Sequence, residues 1–411
     1  MRRIVRGLLP LLLVIVTLVG SPLVAQRVID WSTRPVFLMT MGQGDEVFEK
    51  FGHNALVVWD DVMNQPLVWN WGMFDFAQPN FIGRFLTGDT KYWMAPATLD
   101  GTIAQYQQLN RTVTIQQLAL SPAQRQQLVQ LLATNALEAN KFYRYDYYRD
   151  NCSTRVRDAL DAVTGGALKR AMTAQAGRGS YRWHTRRLLA YSAPLYLGSE
   201  LVLGVDADAP LTGWGEAFLP GALSDAVTRV ELPADAGLPN RLLAAAPDTL
   251  FRATRDAEPP TVAPRIALAA VIGLIPGLAL LGLARAGRVF AALGMAVWSL
   301  VTVLVGTVLL LAWFATQHAF MANNPSVALL NPGWIAGLVA AVMVARGGAP
   351  TRVRGLLRWL LVIGVVGTAG AVLGGQAVSA LEIAALVLPG HAAVVYASDR
   401  YRRVTAPAVR G

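Results

Sequence analysis

Beyond residue 265 the chain is a succession of apolar runs that ordinary solution folding cannot accommodate. Residues 266–284, 290–314, 326–345, 356–373 and 377–395 are each long enough to cross about 30 Å of hydrocarbon. Two runs are weaker than the rest: Pro332 interrupts 326–345, and Pro389-Gly390 crosses 377–395. The intervening turns set a direction. Arg285 and Arg288 flank one turn, Arg346, Arg352, Arg354 and Arg358 surround another, and Arg400, Arg402, Arg403 and Arg410 fill the tail. The alternate turns, 315–331 and 374–375, contain no Asp, Glu, Lys or Arg. Lysine and arginine are retained on the cytoplasmic side, so this alternation predicts five spans that leave the C-terminus inside.

The N-terminus fits the same scheme. Arg2, Arg3 and Arg6 precede an apolar run over 7–25, which reads as a signal peptide or an uncleaved anchor; either sends the following residues across the membrane. The expected organisation is therefore a leader or anchor over 1–25, an extracytoplasmic domain over 26–230, a proline-rich linker or short helices over 231–263, a membrane domain over 264–399 and a cytoplasmic tail over 400–411. Composition agrees: 54% of the residues are hydrophobic and 15% charged. The net charge of +10 might suggest nucleic acid, but the excess lies beside apolar runs rather than on one basic face, so no nucleic-acid partner is expected.

Residues 33–230 read as one mixed α+β domain. Stretches 36–40, 54–59, 67–71, 92–95 and 112–120 are rich in β-branched and aromatic residues and read as strands. Residues 80–86 suggest a short helix before Gly88. Ser121-Pro122 has a helix-opening pattern, predicting a helix to about 140. An aromatic strand over 142–148 then leads to a helix ended by Gly165-Gly166. Residues 166–200 read as helical and basic, with Arg182, Arg186 and Arg187 on either a solvated face or one drawn to anionic head groups.

Cys152 is the only cysteine, so no intrachain disulfide can form. Asn151 and Ser153 or Thr154 are capping residues, which puts Cys152 in the first turn of a helix. Unpaired amides and the helix dipole there stabilise a thiolate, lowering a thiol pKa that is otherwise about 8.5. The alternative is a buried, inert cysteine. A thiolate nucleophile needs a base, and His53, after Gly52 at the start of a strand, is the candidate; alone it would read as a structural histidine.

Four segments in order, Phe51-Gly-His-Asn-Ala-Leu56, Trp69-Asn-Trp-Gly-Met-Phe-Asp-Phe76, Asp150-Asn-Cys-Ser-Thr-Arg-Val-Arg-Asp158 and Ala217-Phe-Leu-Pro220, resemble the signatures of the Lnb-type family. A later His318…Asn323-Asn-Pro325…Leu330-Asn-Pro332 loop resembles the same family. The family takes its name from a bacterial lipoprotein intramolecular N-acyltransferase. The resemblance implies a papain-like fold in permuted, NlpC-type order, with Cys152 as nucleophile and His53 as base. It also implies a lipid or lipoprotein ester as substrate at the outer face of the bacterial inner membrane.

Other residues carry weaker expectations. Asn70 or Asp75 could orient His53, or both could serve a hairpin at Gly72. The side chains of Asn54 and Asn151, with the Cys152 main-chain amide, are candidate oxyanion donors, a role worth about 3 kcal/mol per donor. His318, Asn324 and Asn331, in the uncharged outer loop, could contact a lipid head group, or simply cap turns. Glu382 stands within the last apolar run as a functional carboxylate, or else near its outer boundary. Neither a metal nor a cofactor is called for, and the oligomeric state is open. A thiol acyltransferase is the leading expectation. A cell-wall cysteine peptidase or amidase, and a non-enzymatic membrane partner, are the alternatives.

Overall fold

A computed structural model describes residues 29–235 and 238–402. The leader or anchor over 1–25 and most of the tail beyond Arg402 lie outside the described residues. A seven-stranded antiparallel sheet organises the N-terminal half. Its strands are β1 (Val36–Met41), β2 (His53–Asp60), β3 (Gln65–Met73), β4 (Lys91–Thr98), β5 (Val113–Leu118) and β6 (Phe142–Arg144). A two-stranded ribbon, β7 (Glu231–Leu232) and β8 (Arg241–Leu242), precedes β9 (Asp248–Phe251), and the main sheet runs β6-β4-β3-β2-β1-β5-β9.

Alternation along the strands gives this sheet two apolar faces. On β1, Val36 and Leu38 point to one core with Leu56, Val58 and Leu118, while Phe37, Met39 and Met41 point to another with Ala55, Val57 and Val113. The first core is closed by α3 (Pro122–Asn135) and α4 (Cys152–Val163), and the second by α2 (Leu99–Gln108), while α1 (Phe81–Thr87) connects β3 to β4. The pattern at Ser121 is a full capping box: Ser121 N–H donates to Gln124 Oε1, and Gln124 N–H to Ser121 Oγ. That helix stops at Asn135 rather than continuing to 140. The sequence reading missed α2, whose Gly101 weakens the helical pattern.

Two further expectations need correction. The aromatic strand over 142–148 is only three residues long, because Asp146 accepts from the amides of Tyr148 and Arg149 and turns the chain. Among its described residues the stretch 231–263 holds no helix; its β9 returns to pair with β5, extending the domain past residue 230.

Helices α5 (Ala167–Thr173), α6 (Tyr181–Leu189), α7 (Ala193–Val202), α8 (Gly213–Glu216) and α9 (Pro220–Val227) complete this half. The arginines of α6 are neither solvated nor turned to head groups. Arg182, 1% exposed, donates to Asp208 Oδ1 at 2.8 Å and to the carbonyls of Leu203 and Gly204. Arg186 grips Glu200 with two bonds of 2.7 and 2.6 Å, and Arg187 reaches Glu258. Two buried cations and a partly buried third with no matching acids would be untenable, and only the fold shows where the acids lie.

Among the described residues four helical segments are long and apolar enough to cross a membrane: Ile266–Ala286, Arg288–Phe314, Pro325–Ala345 and Thr351–Arg400. The last is bent back on itself at Gly375, whose φ of 90° requires glycine, so it comprises α13 (Thr351–Ala371) and α14 (Ala377–Arg400). Before them come α10 (Ile266–Ala286), α11 (Arg288–Phe314) and α12 (Ile335–Ala345). Small residues set the spacing. A side chain at Gly273 or Gly277 of α10 would strike the α14 backbone at Ala385 or Pro389, and one at Gly390 would enter the Trp298 ring.

The basic turns gather at one end of this bundle. Tyr401 donates its hydroxyl to Ala284 O and accepts at its carbonyl from Ala349 N–H, while Arg354 and Arg358 both bind Asp399. The uncharged loop 315–331 caps the opposite end and carries the mixed domain: Gln317 N–H donates to Thr87 O, and Gly204 N–H to Phe320 O.

Candidate active site

Helix α4 begins at Cys152 because Asn151 caps it. Asn151 Oδ1 accepts from Thr154 N–H at 2.9 Å, and Thr154 Oγ1 accepts from Asn151 N–H at 2.7 Å. The helix lies across β2 and β3, so its N-terminus meets the first residue of β2, which is His53. The Cys152 thiol and the His53 ring lie close enough for each to shift the other's proton affinity. His53 Nε2 donates to Asn70 Oδ1 on the neighbouring strand at 3.1 Å, and Asn70 Nδ2 donates to Val68 O. That second bond fixes the amide so that its oxygen faces the ring. Nε2 must then carry the hydrogen, which leaves Nδ1 of the neutral ring as the basic nitrogen toward the sulfur.

The electrostatics favour charge separation. Burial pulls the His53 pKa down most strongly of any single influence, but Cys152 and the Asn70 bond raise it above the ordinary value. Burial likewise pushes the Cys152 thiol up, yet His53 and the backbone amides of Asn54 and Ser153 bring it below the ordinary value. A thiolate beside an imidazolium is the state these neighbours stabilise. Gly72 turns β3 beside Cys152 and Tyr145 at φ 87°, a conformation that glycine adopts without strain.

The structure sorts the remaining candidates. Asn70 reaches His53, whereas Asp75 is exposed and serves a turn through Ala77 N–H. Both hydrogens of the Asn54 amide are spent on Ser153 Oγ and Pro220 O, and both of Asn151 on Tyr147 O and Phe218 O. These two side chains build the scaffold and have no hydrogen left for an oxyanion. The donors beside the sulfur are instead the main-chain amides of Asn54 and Ser153, which no side-chain motif can reveal.

The outer-loop residues mostly join the halves. Asn324 Nδ2 donates to Leu201 O, its Oδ1 caps Ser326, and Asn331 Nδ2 donates to Ala328 O. Glu382 is buried one and a half turns into α14, where Oε1 accepts from Tyr196 hydroxyl and Arg265 N–H. Asn324 and Glu382 thus tie the loop and α14 to neighbouring elements, while Asn331 closes a turn within the loop. His318 differs: its Nε2 lies 2.9 Å from Phe85 O, and its ring is near Tyr147 and Phe85. No His/Cys/Asp/Glu cluster that could hold a metal occurs among the described residues.

The fold and site together define a class: a mixed sheet-and-helix domain bearing a cysteine–histidine pair, carried on a multi-helix apolar bundle. Residues 24–191 match the family described as the Lnb N-terminal periplasmic domain, a stretch containing both His53 and Cys152. No curated protein and no solved structure matches the chain. The periplasmic family and the apolar helices make this a multi-pass inner-membrane protein with an extracytoplasmic N-terminal domain.

Proposed function

We propose that the protein is a thiol acyltransferase whose substrate is an ester of a membrane lipid or lipoprotein at the outer face of the inner membrane. The carrying observation is the Cys152–His53–Asn70 chain, set at a helix N-terminus on a domain docked to membrane helices. A cysteine on a helix start facing a histidine on a sheet, in His-before-Cys order, fits a permuted papain-like domain. The basic end of the bundle is then cytoplasmic and contains the C-terminus.

In the first half-reaction the Cys152 sulfur attacks the ester carbonyl carbon. The C–O bond breaks, the leaving alkoxide takes the proton held on His53, and a thioester remains on Cys152. In the second, an amine attacks the thioester, His53 accepts its proton, and the thiolate leaves to give an amide. Throughout, Asn70 holds the His53 ring in place. The amides of Asn54 and Ser153 lie within reach of the developing oxyanion, the role backbone donors perform well in a water-poor site. Attachment to the bundle keeps the acyl chain in the bilayer, avoiding exposure that costs about 0.8 kcal/mol per CH₂.

Mass spectrometry of protein purified from membranes tests this directly. A hydroxylamine-labile acyl group on Cys152 is expected, transferable to an added amine and absent from Cys152→Ser protein. A Cys152 peptide never acylated in the presence of lipid or lipoprotein would overturn the reading; cleavage of cell-wall peptide by the same preparation would support the peptidase instead.

A further inference from the structure

Around α1 the extracytoplasmic domain exposes a run of large apolar side chains that its own core leaves uncovered. Ile82 is 73% exposed, Phe76 67%, Leu86 64%, Phe48 55% and Phe85 50%. On α1 the apolar positions 81, 82, 85 and 86 form one stripe, and the rings around it interlock: Phe76 and Phe85 both contact Phe81, and Phe48 contacts Phe74. This ridge continues the membrane surface. Helix α11 ends at Phe314, itself 74% exposed, and three residues later Gln317 N–H is bonded to Thr87 O at the end of α1. Three residues span at most about 10 Å, so α1 sits at the depth where the hydrocarbon gives way to head groups.

The ridge also leads inward. Phe74 contacts Tyr92 at 5.1 Å, Tyr92 stacks on Tyr145 at 4.4 Å, and Tyr145 lies across Gly72 from Cys152. We propose that the Phe48–Phe76–α1 ridge is immersed in the membrane leaflet facing the domain and guides lipid acyl chains along these aromatic rings to Cys152. The immersion stands on exposure and position alone; the guiding step rests on the acyl-transfer reading above.

The single cysteine makes the immersion measurable apart from activity. In full-length Cys152→Ser protein, Ile82→Cys, Leu86→Cys and Val62→Cys are each labelled with an environment-sensitive fluorophore, in vesicles of phosphatidylethanolamine and phosphatidylglycerol. Val62, 93% exposed on the β2–β3 turn, is the reference. Labels at 82 and 86 should be blue-shifted relative to 62 and quenched by lipids carrying a nitroxide near the top of the acyl chain. Water-like emission at 82 and 86 overturns the proposal. So does a blue shift that is insensitive to nitroxide lipid and depends on protein concentration, which marks a second copy, or one that appears only on adding a lipoprotein peptide.

For the guiding step, Ile82→Ser/Leu86→Ser in the Cys152 protein should lower acyl loading from vesicle lipid about tenfold. Its Cys152 should still react with iodoacetamide at the unaltered rate. Unchanged loading overturns guidance. Failure of the acyl-transfer reading would look different: neither protein would load, while the depth labels would still report immersion.

Discussion

His53, half-buried, and His184, fully buried, are imidazoles in one domain, and their neighbours shift their proton affinities in opposite directions. His184 is fully buried on α6, with Nε2 3.0 Å from Glu216 Oε1 and Nδ1 accepting from Arg187 Nε. Burial lowers its pKa, and the adjacent arginine cations offset the attraction of Glu216. Glu216, bound by His184 and by Arg178 against the cost of its own burial, is drawn down to about 2 and remains a carboxylate. At His53 the neighbour is a group that can itself surrender a proton, and the pKa rises. Burial disfavours the charged ring at both places. A permanent charge network answers it at His184 by keeping the ring neutral, and a transferable proton answers it at His53 by forming an ion pair. The first arrangement suits a clasp and the second suits proton transfer.

The largest expected effect breaks the second arrangement and leaves the first. Cys152→Ser should remove most acyl transfer, since a hydroxyl does not ionise near neutral pH. His53→Ala should cost about 10²–10⁴-fold in the rate of thioester formation, the usual weight of a general base. Single-turnover assays on the double variant should show little further loss, because the two act as a unit. Full additivity of the two losses would mean that they do not cooperate.

An intermediate effect separates the orienting residue from its neighbour in sequence. Asn70→Ala removes the acceptor for His53 Nε2–H and frees the ring to rotate. A misplacement of about 1 Å can cost about 10²-fold, and that is the loss expected in Cys152 alkylation at pH 7. Asp75→Ala, five residues along, should leave alkylation unchanged.

The pH dependence of alkylation follows from the same shifts. Reactivity should rise on the acid side, at a pH below the ordinary thiol value of about 8.5, as the thiolate–imidazolium pair forms. Acyl transfer should fall again as His53 loses its proton above its own ordinary value. An alkylation midpoint near 8.5 in the wild-type protein would remove the ion pair.

How much of this contrast was legible in the sequence differs between the two regions. Cys152 was readable because capping is local: Asn151 and Thr154 announce a helix start within three residues. His53 at a strand start was equally local. Asn70 could be narrowed only to a pair with Asp75, since the choice depends on which residue faces β2 across the sheet. The register pairs Asn70 with Ala55, leaving Asp75 beyond the strand in solvent. The α6 arginines were misjudged for a related reason. Glu200, Asp208 and Glu258 are 14 to 71 residues from their partners, and composition shows positive charge without showing what answers it. The membrane half was the most legible, because a bilayer dictates length and apolarity residue by residue.

The clasp itself should respond to different pressure. Arg186→Met leaves Glu200 buried against Arg182 alone, 3.8 Å away, so stability should fall by roughly 3 kcal/mol, the cost of breaking a buried pair. Thermal unfolding in detergent would measure it, with Cys152 alkylation of the folded protein unchanged. A comparable loss of thiol reactivity would show that the two regions are coupled.

The smallest effect is the pH dependence of stability, where the two histidines should leave different marks. Below about pH 6.5, an ordinary histidine in the unfolded chain binds a proton that His184 in the folded protein refuses. The unfolded state then holds more protons, so stability rises with pH across the window between the folded and ordinary values, and is lost on acidification through it. His184→Gln should flatten that slope. At His53 the bookkeeping is different. Between about pH 6.5 and 8.5 the unfolded pair holds one proton, on sulfur, and the folded pair also holds one, on the ring. The proton has moved without being gained or lost, so His53→Gln should leave the slope in that window almost unchanged. A marked slope there in the wild-type protein, absent from His53→Gln, would mean that His53 binds its proton without Cys152 releasing one.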